Sequence, residues 1–224
     1  MNPNLTTPNP LARRQFLRTS AGVVAGLSAL PQLAMAAPVP DPVVESVHVF
    51  GPRAGYTPQI SILVSMMDWM RGTMLRSVKG MSQTDLDYLF DAKSNTIGAM
   101  LMHLAATDVY YQDNTFNNVK TGISDANKAK WDVAMRLGEP ARQQIKGNNL
   151  DYYVNALTEV RQKTLDELKH RDDAWLMAVD PHFFANQPTN NYCKWFHVVE
   201  HESNHNGQIK WIKGRLPGAP ASKD

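Results

Sequence analysis

A single cysteine in 224 residues, Cys193, excludes an internal disulfide, so the fold must rest on a packed core, with or without a bound ion. Thirteen glycines and 14 prolines are too few for a low-complexity or repeat protein, and the chain is long enough for one domain with a sizeable core. No segment alternates apolar and polar residues cleanly enough to read as a strand, which argues against a β or α/β architecture. A strong charge of one sign is missing too: 23 basic residues face 21 acidic ones, with no evident Lys/Arg cluster. Nucleic-acid binding therefore lacks its electrostatic footprint.

At the N-terminus, Arg13-Arg14-Gln15-Phe16-Leu17-Arg18 precedes an Ala/Gly-rich apolar run from Ala21 to Leu33, followed by Ala34-Met35-Ala36. Charged, apolar and small-residue cleavage regions in that order are those of a signal peptide, and the paired arginines before Phe-Leu resemble a twin-arginine export signal. The run is too short and too rich in Gly and Ala to span a bilayer comfortably. Cleavage after Ala36 would release a chain beginning at Ala37, with no cysteine there for lipidation and no stable membrane anchor. The expected location is the periplasm or outside the cell. Loss of Arg13, Arg14 and Arg18 takes the 23 basic residues to 20 against 21 acids, a net charge of −1.

Residues 37–55 carry Pro38, Pro40, Pro42 and Pro52 and read as an extended lead-in. From Pro58 to about Lys79, apolar residues recur at three- and four-residue steps through Ile60, Leu63, Val64, Met67, Met70, Met74 and Val78, an amphipathic helix stopped by Gly80. The methionines fit gap-filling core packing better than soft-metal binding. Ser82 caps a brief helix through Leu89, and Ser94-Asn95 supplies a cap before a second long helix carrying Ile97, Leu101, His103, Leu104 and Val109. A weaker helix runs from Ser124-Asp125 through Leu137, interrupted by Gly138 and Pro140. Asn149 caps a third long helix from Leu150 to about Lys169, and Asn190 or Asn191 starts the last, through Trp195, Val198, Ile209 and Ile212. Four long helices predict an all-α four-helix bundle.

Along the last helix Cys193, His197, His201 and His205 follow at four-residue steps on one side of the cylinder. Two imidazoles a turn apart form a metal-ligand spacing, and His103, on another helix, makes a third ligand available. Three protein ligands leave one coordination position open. His197 and His205 are separated by about 12 Å of rise, so only His197/His201 or His201/His205 can share an ion. Cys193 reads as a buried small hydrophobe, since no activating base or cation is evident.

Asn95-Thr-Ile-Gly-Ala-Met-Leu-Met-His103-Leu-Ala-Ala-Thr-Asp108 and Trp195-Phe-His197-Val-Val-Glu-His201-Glu-Ser-Asn-His205-Asn-Gly207-Gln208-Ile209, with Arg215-Leu-Pro-Gly218, resemble the DinB-like superfamily of four-helix-bundle metalloproteins. The resemblance covers residues 56–218, leaving 1–36 as the export signal, 37–55 as the lead-in and 219–224 as a tail. It implies His103, His201 and His205 as ligands of a divalent ion, Zn²⁺ or Ni²⁺, and a position near the site for Asp108, orienting a ligand or water. It leaves His197 as a core or supporting imidazole, and a homodimer is among its implications. Many members carry His-His-Arg-Gly-Gln where this chain has Asn204-His205-Asn206-Gly207-Gln208, so a neighbouring imidazole and a cation are missing here.

Two functions fit this reading. In the first, an exported metal-dependent transferase, isomerase or hydrolase acts on a small molecule at the open position, with Asp108 or Glu200 moving protons if either faces the site. In the second, the ion ties the second helix to the last in a non-enzymatic binding or interaction module, and a fourth protein ligand such as His197 or Cys193 closes the site.

Overall fold

The computed structural model describes residues 46–220; the expected export signal lies outside them, as do residues 37–45 of the lead-in and the end of the tail. Among the described residues eight α-helices follow in order: α1 (Pro58–Val78), α2 (Gln83–Leu86), α3 (Ile97–Thr115), α4 (Asp125–Arg136), α5 (Gly138–Gln144), α6 (Leu150–Leu168), α7 (Asp173–Met177) and α8 (Asn191–Lys213). Strands β1 (Val179–Asp180) and β2 (Thr189–Asn190) form a small antiparallel ladder before α8. The long helices α1, α3, α6 and α8 make an all-α bundle of the DinB-like kind.

Side-chain chemistry sets the helix boundaries. Asn149 accepts a hydrogen bond from the Tyr152 amide at 3.0 Å, and Asn190 from the Cys193 amide at 2.8 Å, each satisfying an otherwise orphaned donor. Helix α1 begins with Pro58, and Asp173 of α7 accepts from the Gln59 amide at 3.1 Å, so a neighbouring helix caps it. Gly80, at φ 76°, takes the left-handed conformation that ends α1 cheaply.

Three boundaries differ from the sequence expectation. The brief helix after Ser82 stops at Leu86 rather than Leu89. Thr96, not Ser94 or Asn95, caps α3 by accepting from the Ala99 amide; Asn95 instead accepts from the Gly138 amide at 3.1 Å. Pro140 does not break the chain into a loop but sits in the first turn of α5, where a missing N–H costs no intrahelical bond. The reversal between α4 and α5 is made at Leu137, at φ 54° and ψ −149°.

Helix α3 is the centre of the bundle, packed against α4, α6 and α8, and nearly every residue from Ile97 to Asn114 is buried. Such a helix is apolar almost all round, unlike the one-sided stripe of α6. At Gly98 α3 approaches α6 so closely that a Cβ would stand 2.7 Å from Tyr153 Oη. Met67 and Met74 are fully buried, which confirms the core reading of the α1 methionines.

The core divides into two apolar clusters. One contains Met74, Leu157, Val160 and Ile209, the other Met67, Leu168, Trp195 and Val198. Between them lies a buried polar layer with one residue from each long helix: Arg71, Asp108, Arg161 and Glu202, at 8, 0, 5 and 1% exposure. Arg71 reaches Glu202 at 2.9 and 2.5 Å and Asp108 at 3.1 Å, and Arg161 reaches Asp108 at 3.1 Å and Glu202 at 2.8 Å. Their remaining guanidinium nitrogens bind the Leu157 carbonyl at 2.7 Å and the Met67 carbonyl at 3.2 Å. Two cations and two anions cancel, which is how four charges survive burial.

Candidate metal centre

His103 leaves the buried core of α3 toward α8, where His201 and His205 present one face a turn apart. One ligand atom from each of the three lies within 4.8 Å of the others, and His103 Nε2 stands 2.8 Å from His201 Nε2. Ring centroids of His103 are 5.0 Å from both other rings, and those of His201 and His205 are 4.6 Å apart. Nitrogens sharing one tetrahedral ion at 2.0–2.1 Å would be about 3.4 Å apart. Small side-chain adjustments would therefore bring the three rings to coordination distance.

Hydrogen bonds fix the ring tautomers. His103 Nδ1 is 3.0 Å from the Ala134 carbonyl, which can only accept, so Nδ1 carries the proton and Nε2 keeps its lone pair. His205 Nδ1 lies 3.1 Å from Gln208 Oε1 and is tied down in the same way. His201 Nε2 then donates to His103 Nε2, and a divalent ion entering between the rings would displace that proton. Burial lowers the His103 pKa to about 4, helped by repulsion from His205, and that of His201 to about 3, helped by its histidine neighbours. Burial lowers His205 as well. All three are thus neutral near pH 7, the form that binds a divalent metal ion.

The other candidates lie elsewhere. His197 Nδ1 is 2.8 Å from Tyr111 Oη; burial raises the Tyr111 pKa, so the phenol donates and the imidazole accepts. His197 Nε2 lies 3.9 Å from Glu200, which also accepts from Asn204. Cys193 is exposed. Among the described residues, no fourth His, Cys, Asp or Glu joins the cluster.

Asp108 departs from its expected place beside the histidines. Five residues beyond His103, it points about 140° away around α3 and binds both buried arginines. The group that orients His103 is instead a backbone carbonyl of α4, which no sequence motif announces. Gln208 was visible in the Gly207-Gln208 pair, but not its role in holding His205. Asn206, standing where many DinB-like proteins carry Arg, is buried, and its Oδ1 has no hydrogen-bond partner.

A family model described as mycothiol-S-transferase matches residues 62–218, the bundle and all three histidines. The chain belongs to the mycothiol-S-transferase family. That family is part of the DinB-like superfamily, so the resemblance read from the histidine motifs and the match over the bundle agree. No curated protein matches the chain. As a mycothiol-S-transferase family member, it carries a three-histidine cluster able to hold a metal ion, in a family whose name denotes transfer to or from a small-molecule thiol.

Proposed function

We propose that this chain is a divalent-metal-dependent transferase in which His103, His201 and His205 hold Zn²⁺ or Ni²⁺, and that its substrates are a low-molecular-weight thiol, such as mycothiol, and a small electrophile. The observation that carries this reading is the convergence of three neutral imidazoles whose tautomers are fixed at His103 and His205 by the Ala134 carbonyl and Gln208. With three protein donors an ion keeps a position for substrate, whereas a structural site is closed by four. The module reading lacks that fourth ligand among the described residues.

A bound ion would supply Lewis acidity, holding a thiol sulfur as thiolate near neutral pH. The chain's own residues do the rest. Ala134 and Gln208 hold the ring protons away from the shared space, and burial keeps the imidazoles uncharged so that they do not repel a cation. In the transfer a sulfur–carbon bond forms: on a halide electrophile the carbon–halogen bond breaks, halide leaves and the thiol proton goes to solvent, and on an activated alkene the π bond opens and the proton goes to the carbon next to the one that receives sulfur.

The test is conjugation of a small thiol to 1-chloro-2,4-dinitrobenzene by the zinc-loaded chain. A rate above the uncatalysed one, abolished in His103→Ala and in His201→Ala/His205→Ala with helicity intact, supports the reading. Equal rates in all three proteins overturn it.

We further propose that residues 1–36 direct export of the folded chain to the periplasm, on the strength of Arg13-Arg14-Gln15-Phe16-Leu17 and Ala34-Met35-Ala36. Cell fractionation should find a chain beginning at Ala37 in the periplasm, and Arg13→Lys/Arg14→Lys should hold it in the cytoplasm. Uncleaved cytoplasmic chain in both cases overturns the export proposal.

A further inference from the structure

One helical turn from the histidines lies a cleft of about 480 Å³, within the range of small-molecule sites. Its lining includes Met100, three residues before His103, and Gln208, three residues after His205, so it shares both helices with the metal centre without including any of its ligands. Phe90 and Trp211, each more than a third exposed, meet edge to face at 4.7 Å on its wall. Arg215 covers the Trp211 ring at 3.9 Å and donates to the Trp211 carbonyl at 3.0 Å, which holds the indole in place. An aromatic wall fixed this way, outside both core clusters, suits a planar apolar guest better than it serves folding.

The polar groups of the cleft are nearly all donors. Gln208 gives its oxygen to His205, leaving the amide nitrogen as its free end. Asn95 gives its oxygen to the Gly138 amide, again leaving the NH₂ group. Lys93 adds a cation, and the Lys93 and Ser94 amides both donate to Oδ1 of Asp91, at 2.7 and 2.8 Å, so that Oδ2 is the carboxylate oxygen still open to the cleft. Donors that outnumber the open acceptors select a guest that brings acceptors.

We propose that this cleft binds the electrophilic partner of the transfer, a planar apolar molecule carrying a carbonyl or carboxylate, with its flat body against Phe90 and Trp211 and its oxygens toward Gln208, Asn95 and Lys93. The assignment of the guest as co-substrate rests on the transferase reading; the binding chemistry rests on the cleft alone. One turn of helix, about 5.4 Å, separates the cleft from the histidines, a span that a molecule of this size bridges.

The probe is cinnamate, titrated calorimetrically into the zinc-loaded chain, with trans-β-methylstyrene as the analogue without oxygens. Cinnamate should bind, Trp211→Ala should weaken it about tenfold, Lys93→Met should weaken it several-fold, and β-methylstyrene should bind more weakly than cinnamate. Circular dichroism checks that each variant is folded. The wild-type chain stripped of metal by a chelator should bind cinnamate within about threefold of the zinc-loaded chain, because the cleft does not need the ion. Undiminished binding in Trp211→Ala, equal binding of the hydrocarbon, or binding lost only with the metal would overturn the cleft assignment. Cinnamate binding that follows this pattern in a chain inactive in thiol transfer would remove the transferase reading and leave the cleft standing.

Discussion

Replacing Arg161 by Met tests how the bundle is held together. Arg161 bonds Asp108 at 3.1 and 3.5 Å, Glu202 at 2.8 Å and the Met67 carbonyl at 3.2 Å. Its loss leaves two carboxylates of 0 and 1% exposure sharing the single guanidinium of Arg71, a net buried charge of −1. Removing one partner of a buried ion pair costs about 3–5 kcal/mol, because the other charge stays behind unsolvated. Urea denaturation should therefore show a destabilisation of about that size with an unchanged slope. Arg161→Met/Asp108→Asn removes one charge of each sign and restores neutrality. It should cost at least about 1 kcal/mol less than the two single changes added together. A loss below about 1 kcal/mol for Arg161→Met, or strict additivity in the double variant, would refute the neutral-layer argument.

Other perturbations follow from the same contacts. Gly98→Ala puts a Cβ 2.7 Å from Tyr153 Oη and 2.8 Å from its Cζ, inside a packed core; a loss of about 1–3 kcal/mol is expected in thermal denaturation, and a neutral result would mean the α3–α6 approach is looser than described. In the chelator-treated chain, His103 is held at about 4 against 6.5 when unfolded, so between those values the unfolded state takes up a proton that the folded state does not. Stability should be full above about pH 6.5 and fall as the pH drops toward 4, by about 3 kcal/mol from His103 alone, with less from the more exposed His201. His103→Gln should flatten that slope in denaturation measured across the range. Gln208→Leu removes the acceptor of His205 Nδ1 and should weaken zinc binding about 10–100-fold in competition with a chromophoric chelator; unchanged affinity would deny Gln208 its orienting role.

The parts of the structure legible in the sequence are those written locally. Asn149 and Asn190 announce their helices because a cap is a contact between residues three apart, and the three- and four-residue apolar steps of α1 and α6 announce the faces they bury. His201 and His205 are local in the same sense; His103 is a histidine on a second predicted helix, and the DinB-like resemblance implies that it and the His201/His205 pair share one ion. The polar layer was not read, although a signal was present: Arg71, Arg161 and Glu202 each occupy a position in the buried stripe of their helix, between Met67 and Met74, Leu157 and Thr164, and Val198 and His205. A charge in a core register implies a partner, but which helix supplies it is a matter of tertiary packing. The same holds for Ala134, whose carbonyl reaches His103 across 31 positions; Asp108 differs, because its direction away from His103 follows from the five-residue helical spacing between them.

Metal content bears most directly on the central claim. Mass spectrometry of the tag-free chain from Ala37 onward, expressed with zinc and nickel in supply, should find about one divalent ion per chain, and His201→Ala/His205→Ala should find none while remaining helical. An ion-free wild-type chain, or an equal ion content in the variant, would contradict a three-histidine metal centre.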